Sequence, residues 1–200
     1  MPTKYLLLFV AVAFMTLSVQ GESAFALGRK RSKPEPSGPW LRRFLIHKGQ
    51  HDSGTHYQFG MGDTLSFTGR FDQSAKYTTS TPSNQWDINK LMGFSDCGDA
   101  HHKNSARFGW RWVNGELEIH AYVYVNSVRK SEYIQSVRLD QNYNYQISVD
   151  RDHYVFQIGS KTVRMPRGCS SGRHMKYRLY PYFGGDETAP HDISIWANIE

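Results

Sequence analysis

The stretch SARFGWRWVNGELEIHAYVYV, residues 105–125, decides the fold class. Ala106, Phe108, Trp110 and Trp112 alternate with Arg107, Gly109 and Arg111. Beyond Val113-Asn114-Gly115, the residues Leu117, Ile119, Ala121, Val123 and Val125 alternate with Glu118, His120, Tyr122 and Tyr124. A period of two on both sides of an Asn-Gly pair predicts an antiparallel hairpin. One face is apolar and must meet a second layer, so Phe108, Trp110, Trp112, Leu117, Ile119 and Val123 are expected to be buried together. The opposite face carries two arginines, a glutamate, a histidine and two tyrosines. That is more chemistry than a solvated surface requires, and it is where function is sought.

Outward from this hairpin the same alternation recurs at 64–71 (TLSFTGRF), 133–139, 143–149, 153–159 and 162–165, with Asp150-Arg151-Asp152 as a turn. Residues 86–94, 175–183 (MKYRLYPYF) and 192–199 (DISIWANI) read as further strands. In 175–183, Leu179, Pro181 and Phe183 share one parity while Arg178, Tyr180 and Tyr182 share the other. Residues 40–46 are apolar with paired arginines and fit either a short helix or an edge strand. Segments 47–54 and 74–85 are loops. Many short strands between turn signals, without repeats or a long amphipathic helix, predict an all-β fold, an antiparallel β-sandwich.

The N-terminus has the pattern of a secretory signal: a cationic start, an apolar run at 5–19, and Ala24-Phe25-Ala26 as a cleavage site, with Gln20-Gly21 an earlier option. The run is shorter than the roughly 20 apolar residues a membrane span needs. The expected organisation is a signal peptide at 1–26, a basic Pro-rich linker at 27–39 and a single sandwich domain at 40–200, secreted or periplasmic, with no membrane span once the signal is removed. Export gives meaning to the cysteines, since only Cys97 and Cys169 are present. They are either a pair or two separate thiols, and an oxidising compartment favours the pair. The net charge of +6 suits anionic glycans, envelope polymers or lipid headgroups. Nucleic acid is not expected, because the compartment is wrong and no motif for it is present.

The order hairpin, Tyr143-x-Tyr145-x-Ile147-x-Val149, turn, Tyr154-x-Phe156-x-Ile158, then Tyr180-Pro181-Tyr182-Phe183-Gly184-Gly185 before the closing DISIW strand, resembles the concanavalin-A-like jelly-roll superfamily. That superfamily includes lectins, laminin-G-like modules, glycoside hydrolases and polysaccharide lyases. The chain also resembles small exported bacterial proteins. The resemblance spans roughly residues 57–200 and implies a carbohydrate-interacting jelly roll whose partner is a polysaccharide, the acidic kind suiting its arginines. Rings stack on sugar faces and arginine pairs with carboxylate or sulfate. On this reading Arg107, Arg111, Glu118, His120, Tyr122, Tyr124, Tyr180 and Tyr182 form the glycan site. The competing reading is that tyrosines merely suit strands and that Arg and His solvate an outer face.

Glu118-Ile119-His120 resembles the Q-I-H element of jelly-roll alginate lyases, and residues 180–185 loosely resemble their Y-F-K-x-G-x-Y stretch. The resemblance implies a polysaccharide lyase acting by β-elimination on a uronate, with Arg107 or Arg111 neutralising the carboxylate, His120 as base and Tyr182 as acid. Glu118 departs from the amide of that pattern, and its lysine and final glutamine are absent. Glycoside hydrolysis is disfavoured, since Glu116 and Glu118 lack a third acidic partner. A structural or adhesion module with a protein partner is the remaining class. Asp96, Asp99, His101 and His102 form a ligand-rich loop, yet adjacent histidines do not converge as ligands on a regular element, so no metal and no cofactor is expected.

Overall fold

A computed structural model describes residues 41–60, 62–170 and 174–199. The signal peptide expected at 1–26 and the linker expected at 27–39 lie outside these residues. Among the described residues twelve strands form two six-stranded antiparallel sheets. Sheet A runs β1 (Arg42–Ile46), β12 (Ile193–Ile199), β3 (Thr64–Phe71), β8 (Tyr143–Asp150), β9 (His153–Ile158) and β10 (Lys161–Pro166). Sheet B runs β2 (Gln58–Phe59), β11 (Tyr177–Leu179), β4 (Asn89–Ser95), β5 (Ser105–Val113), β6 (Glu116–Val125) and β7 (Val128–Val137). The chain is an antiparallel β-sandwich, and the undecided segment at 40–46 supplies an edge strand, β1.

The β5–β6 hairpin closes through Asn114 and Gly115, whose φ values of 52° and 79° are those of a type I′ turn. A second turn of the same kind, Asn126 and Ser127 at φ 51° and 68°, starts β7 well ahead of residue 133. The sheets are held face to face by aromatic rings. Phe108 of β5 lies against Phe67, Tyr145 and Phe156 of sheet A at 5.1–5.9 Å between ring centres, and Trp110 lies against Phe71 at 5.1 Å. Phe108, Trp110, Leu117, Ile119 and Val123 are buried, and Trp112 is half-buried against the same core. Burying such rings contributes about 1.5–3 kcal/mol each.

At one end the two layers are tied by a buried charge cluster. Arg167 donates from Nε and Nη2 to the two oxygens of Asp96 at 2.6 and 3.2 Å. The Tyr154 hydroxyl donates to Asp96 at 2.9 Å, and Lys176 Nζ sits 3.6 Å away while also pairing with Asp63. Next to Asp96 in sequence, Cys97 is bonded to Cys169 with 5.9 Å between Cα atoms. This disulfide joins the β4–β5 loop to the segment after β10, and a loop of 72 residues makes it worth about 4 kcal/mol in the chain-entropy model.

Candidate functional site

The outward face of sheet B is built in cross-strand rows. One row places Leu179, Gly93, Arg107, Tyr122 and Ser131 side by side; the next places Tyr182, Lys90, Gly109, His120 and Tyr133. A third pairs Arg111 with Glu118. β4 reaches this arrangement only through a bulge: from Lys90 to Gly93 it advances three residues while β5 advances two. Leu91 and Met92 are consequently both buried, and Lys90 and Gly93 both face outward. The bulge carries into the adjoining chain, where Leu179 faces the outer side while the Tyr180 ring stacks on Phe44 at 5.8 Å. Tyr182 returns to the outer face, its ring against His51 at 5.1 Å.

Two glycines at outward positions hollow the face. A Cβ on Gly93 would lie 2.0 Å from the Ala106 carbonyl oxygen and 2.6 Å from Arg107 Cγ; one on Gly109 would lie 2.3 Å from Ile88 Cγ2. Arg107 can therefore lie flat on the floor. Over it opens a cleft of about 650 Å³, walled by residues 52–57 between β1 and β2, by His101 and His102, by Tyr124, and by Gly184 and Gly185.

The electrostatics of this cleft are lopsided. Arg107 is buried and donates from Nη2 to the Tyr180 carbonyl at 2.6 Å, while its Nε has no partner among the described residues. Lys90 Nζ donates to the Gly184 carbonyl at 2.6 Å and lies 5.4 and 5.6 Å from the ring centres of Tyr122 and Tyr182. Among the described residues neither cation makes a salt bridge. The one lining carboxylate, Asp52, caps the Gly54 N–H. Burial pushes Arg107 down to about 10. Burial and then the neighbouring Arg107 push Lys90 down to about 8. Burial, His102 and Arg107 push His101 down to about 4, so it is neutral at pH 7. Its backbone N–H donates to the Tyr177 hydroxyl at 2.9 Å.

Of the residues singled out in the sequence, Arg107, Tyr122, Tyr124, Tyr180 and Tyr182 meet in the cleft, Tyr180 with its carbonyl against Arg107 and its ring turned to Phe44. Arg111, Glu118 and His120 share the face but bond to one another: Arg111 Nε donates to Glu118 at 2.7 Å and His120 Nε2 to the same oxygen at 3.0 Å. Burial lowers His120, whereas Glu118, though raised by burial, is held below its ordinary value by these two bonds. The His120 ring is buried beside Tyr133.

Asp96 and Asp99 do not converge with the two histidines. Asp96 is taken by Arg167, and Asp99 accepts from Lys103 and Asn104. Asp96 does sit with Cys97 and Cys169, but those sulfurs are bonded to each other and the carboxylate is neutralised, so the set does not fit a metal. Lys90, His51 and the 52–57 wall went unsingled in the sequence, because the bulge and a loop carry them and neither has a periodic signal.

No family model matches this chain, and no curated protein does either. Solved structures do. A family 18 polysaccharide lyase matches with a TM-score of 0.50 at 7% identity, over 84% of this chain and 89% of that one. A protein of unknown function from Saccharomyces cerevisiae matches with a TM-score of 0.50 at 10% identity, over 80% and 86%. An alginate lyase matches with a TM-score of 0.49 at 12% identity, over 79% and 69%. Likeness at such identities is likeness of fold alone, that of an antiparallel β-sandwich of two sheets.

Proposed function

We propose that this is an exported protein that binds an acidic polysaccharide in the cleft over Arg107. The observation that supports it most directly is a pair of cations, Arg107 buried and Lys90 half-buried, with no salt-bridge partner among the described residues. Arg107 and Lys90 are desolvated, each costing stability that an unpaired buried charge costs, and a ligand carboxylate or sulfate would compensate both. Tyr122, Tyr124 and Tyr182 add ring faces of the kind on which pyranose C–H surfaces stack. The fold shared with a family 18 polysaccharide lyase is compatible with this reading. Among the described residues no helix is long and apolar enough to cross a membrane, and the disulfide is compatible with an extracellular setting.

The test is calorimetric titration of the protein with polyuronate and neutral glucan oligosaccharides of equal length. The polyuronate is expected to bind and the glucan not, and Arg107→Met is expected to weaken binding roughly 10- to 100-fold, the worth of one charge-assisted hydrogen bond. Because burial and Arg107 push the Lys90 pKa down to about 8, affinity should be flat below that pH and begin to fall between about pH 8 and 9, and that fall should be absent in Lys90→Met. Equal affinity for both glycans would remove the electrostatic argument.

A β-eliminating activity is the second reading, favoured by Lys90, Tyr182 and Arg107 meeting in one cleft while His120 stays bound to Glu118. An amine that titrates near pH 8 can accept a proton at neutral to mildly basic pH. Ultraviolet absorbance of an unsaturated product would reveal it, and its absence with bound substrate leaves the binding reading alone.

A further inference from the structure

Strand β7 ends sheet B, and among the described residues no strand pairs with its outer edge. From Val128 to Tyr133 every residue is exposed, including two large apolar groups, Val128 at 57% and Tyr133 at 50%. An open edge of this length is a template for another strand. The edge reads Val128-Arg129-Lys130-Ser131-Glu132-Tyr133. Arg129, Ser131 and Tyr133 pair with the outward residues Tyr124, Tyr122 and His120. Lys130 and Glu132 pair with the core-facing Val123 and Ala121.

We propose that two copies of this chain pair antiparallel through β7 about a two-fold axis at Ser131, making one continuous sheet. Symmetry selects the register. A two-fold axis perpendicular to the sheet sets outward residues opposite outward residues, so it must pass through a residue and not between two. An axis at Arg129, Lys130 or Glu132 would set that charge against its own copy. At Ser131, a small neutral residue faces itself, Lys130 of each copy faces Glu132 of the other, and Arg129 faces Tyr133. Two ion pairs and two cation–π contacts form, and the exposed ring of Tyr133 is covered. The row that holds Arg107, Tyr122 and Ser131 then continues through the axis, and the two clefts open on one face. With neighbouring strands about 4.8 Å apart, the two Arg107 positions stand about 24 Å from each other.

The same charges have a contrary use, since Lys and Glu on the inner side of an edge also repel strand pairing. The experiment separates the two. The disulfide-intact chain is sedimented over a concentration series into the high micromolar range, alongside Lys130→Glu, Glu132→Lys and the double reversal. A concentration-dependent doubling of mass is expected, weakened roughly ten-fold or more by either single reversal, which sets like charges opposite each other twice, and restored by the double reversal. A monomer at every concentration overturns the proposal and gives Lys130 and Glu132 the repelling role. A dimer indifferent to the single reversals, or one that the double reversal does not restore, overturns it as well.

Discussion

Tyr145 shows how far parity alone can take a reading. Its ring belongs in the core by alternation and lies there, stacked on Phe67 at 4.9 Å, but its hydroxyl has no hydrogen-bond partner among the described residues and burial pushes its pKa well above the ordinary tyrosine value. Removing an unsatisfied buried hydroxyl while keeping the ring relieves a desolvation cost, so Tyr145→Phe is expected to stabilise the fold by about 1 kcal/mol. A thermal melt should show the midpoint rising by roughly 2–4 °C. Alternation set Arg107, Tyr122 and Tyr124 on the outer face without difficulty, because β5 and β6 run unbroken past them. It could not show that His120 is spent on Glu118. That bond depends on side-chain reach within one face, to which a period of two is blind.

At the scale of the element, regular strands were legible and irregular ones were not. The bounds of β3, 64–71, follow directly from the sequence pattern, since Leu65, Phe67, Gly69 and Phe71 are all buried. The bulge in β4 has no signature in WDINKLMGF, and it decides which of Lys90, Leu91 and Met92 reach the cleft. β7 was legible only from Tyr133 onward, because Arg129, Lys130 and Glu132 occupy an edge where no second layer demands apolar residues. Gly93 is where the element and the cleft depend on each other. Gly93→Ala would drive a methyl into the Ala106 carbonyl and Arg107 Cγ, parting β4 from β5 at a cost of about 1–3 kcal/mol. It should lift Arg107 off the Tyr180 carbonyl as well. Polyuronate affinity should therefore drop by more than the loss of folded protein accounts for, which parallel titration and denaturant curves would show.

Across the molecule, two sheets are legible from many short strands, but the tie between them is not. Asp96, Tyr154, Arg167 and Lys176 come from four separate segments, and nothing in their spacing announces a cluster. Burial works to raise the Asp96 pKa, yet the Arg167 fork, the Cys97 N–H and Lys176 together hold it below the ordinary value. A carboxylate so depressed contributes stability that is complete above its unfolded pKa, about 3.9, and is lost as pH falls through its folded value. Asp96→Asn leaves Arg167 and Lys176 buried without their counter-charge and should cost about 3–5 kcal/mol. In acid titrations of unfolding free energy, the variant should show a shallower loss below pH 4 than the parent chain.

The disulfide sits one residue from that cluster and four from His101, so the wall of the cleft and the oxidation state of the chain are physically one matter. Reducing both thiols would release the 96–104 loop from its covalent anchor to the segment behind β10, at a cost of about 4 kcal/mol in the chain-entropy model. A reduced chain is therefore expected to hold the His101 and His102 wall of the cleft less firmly than an oxidised one.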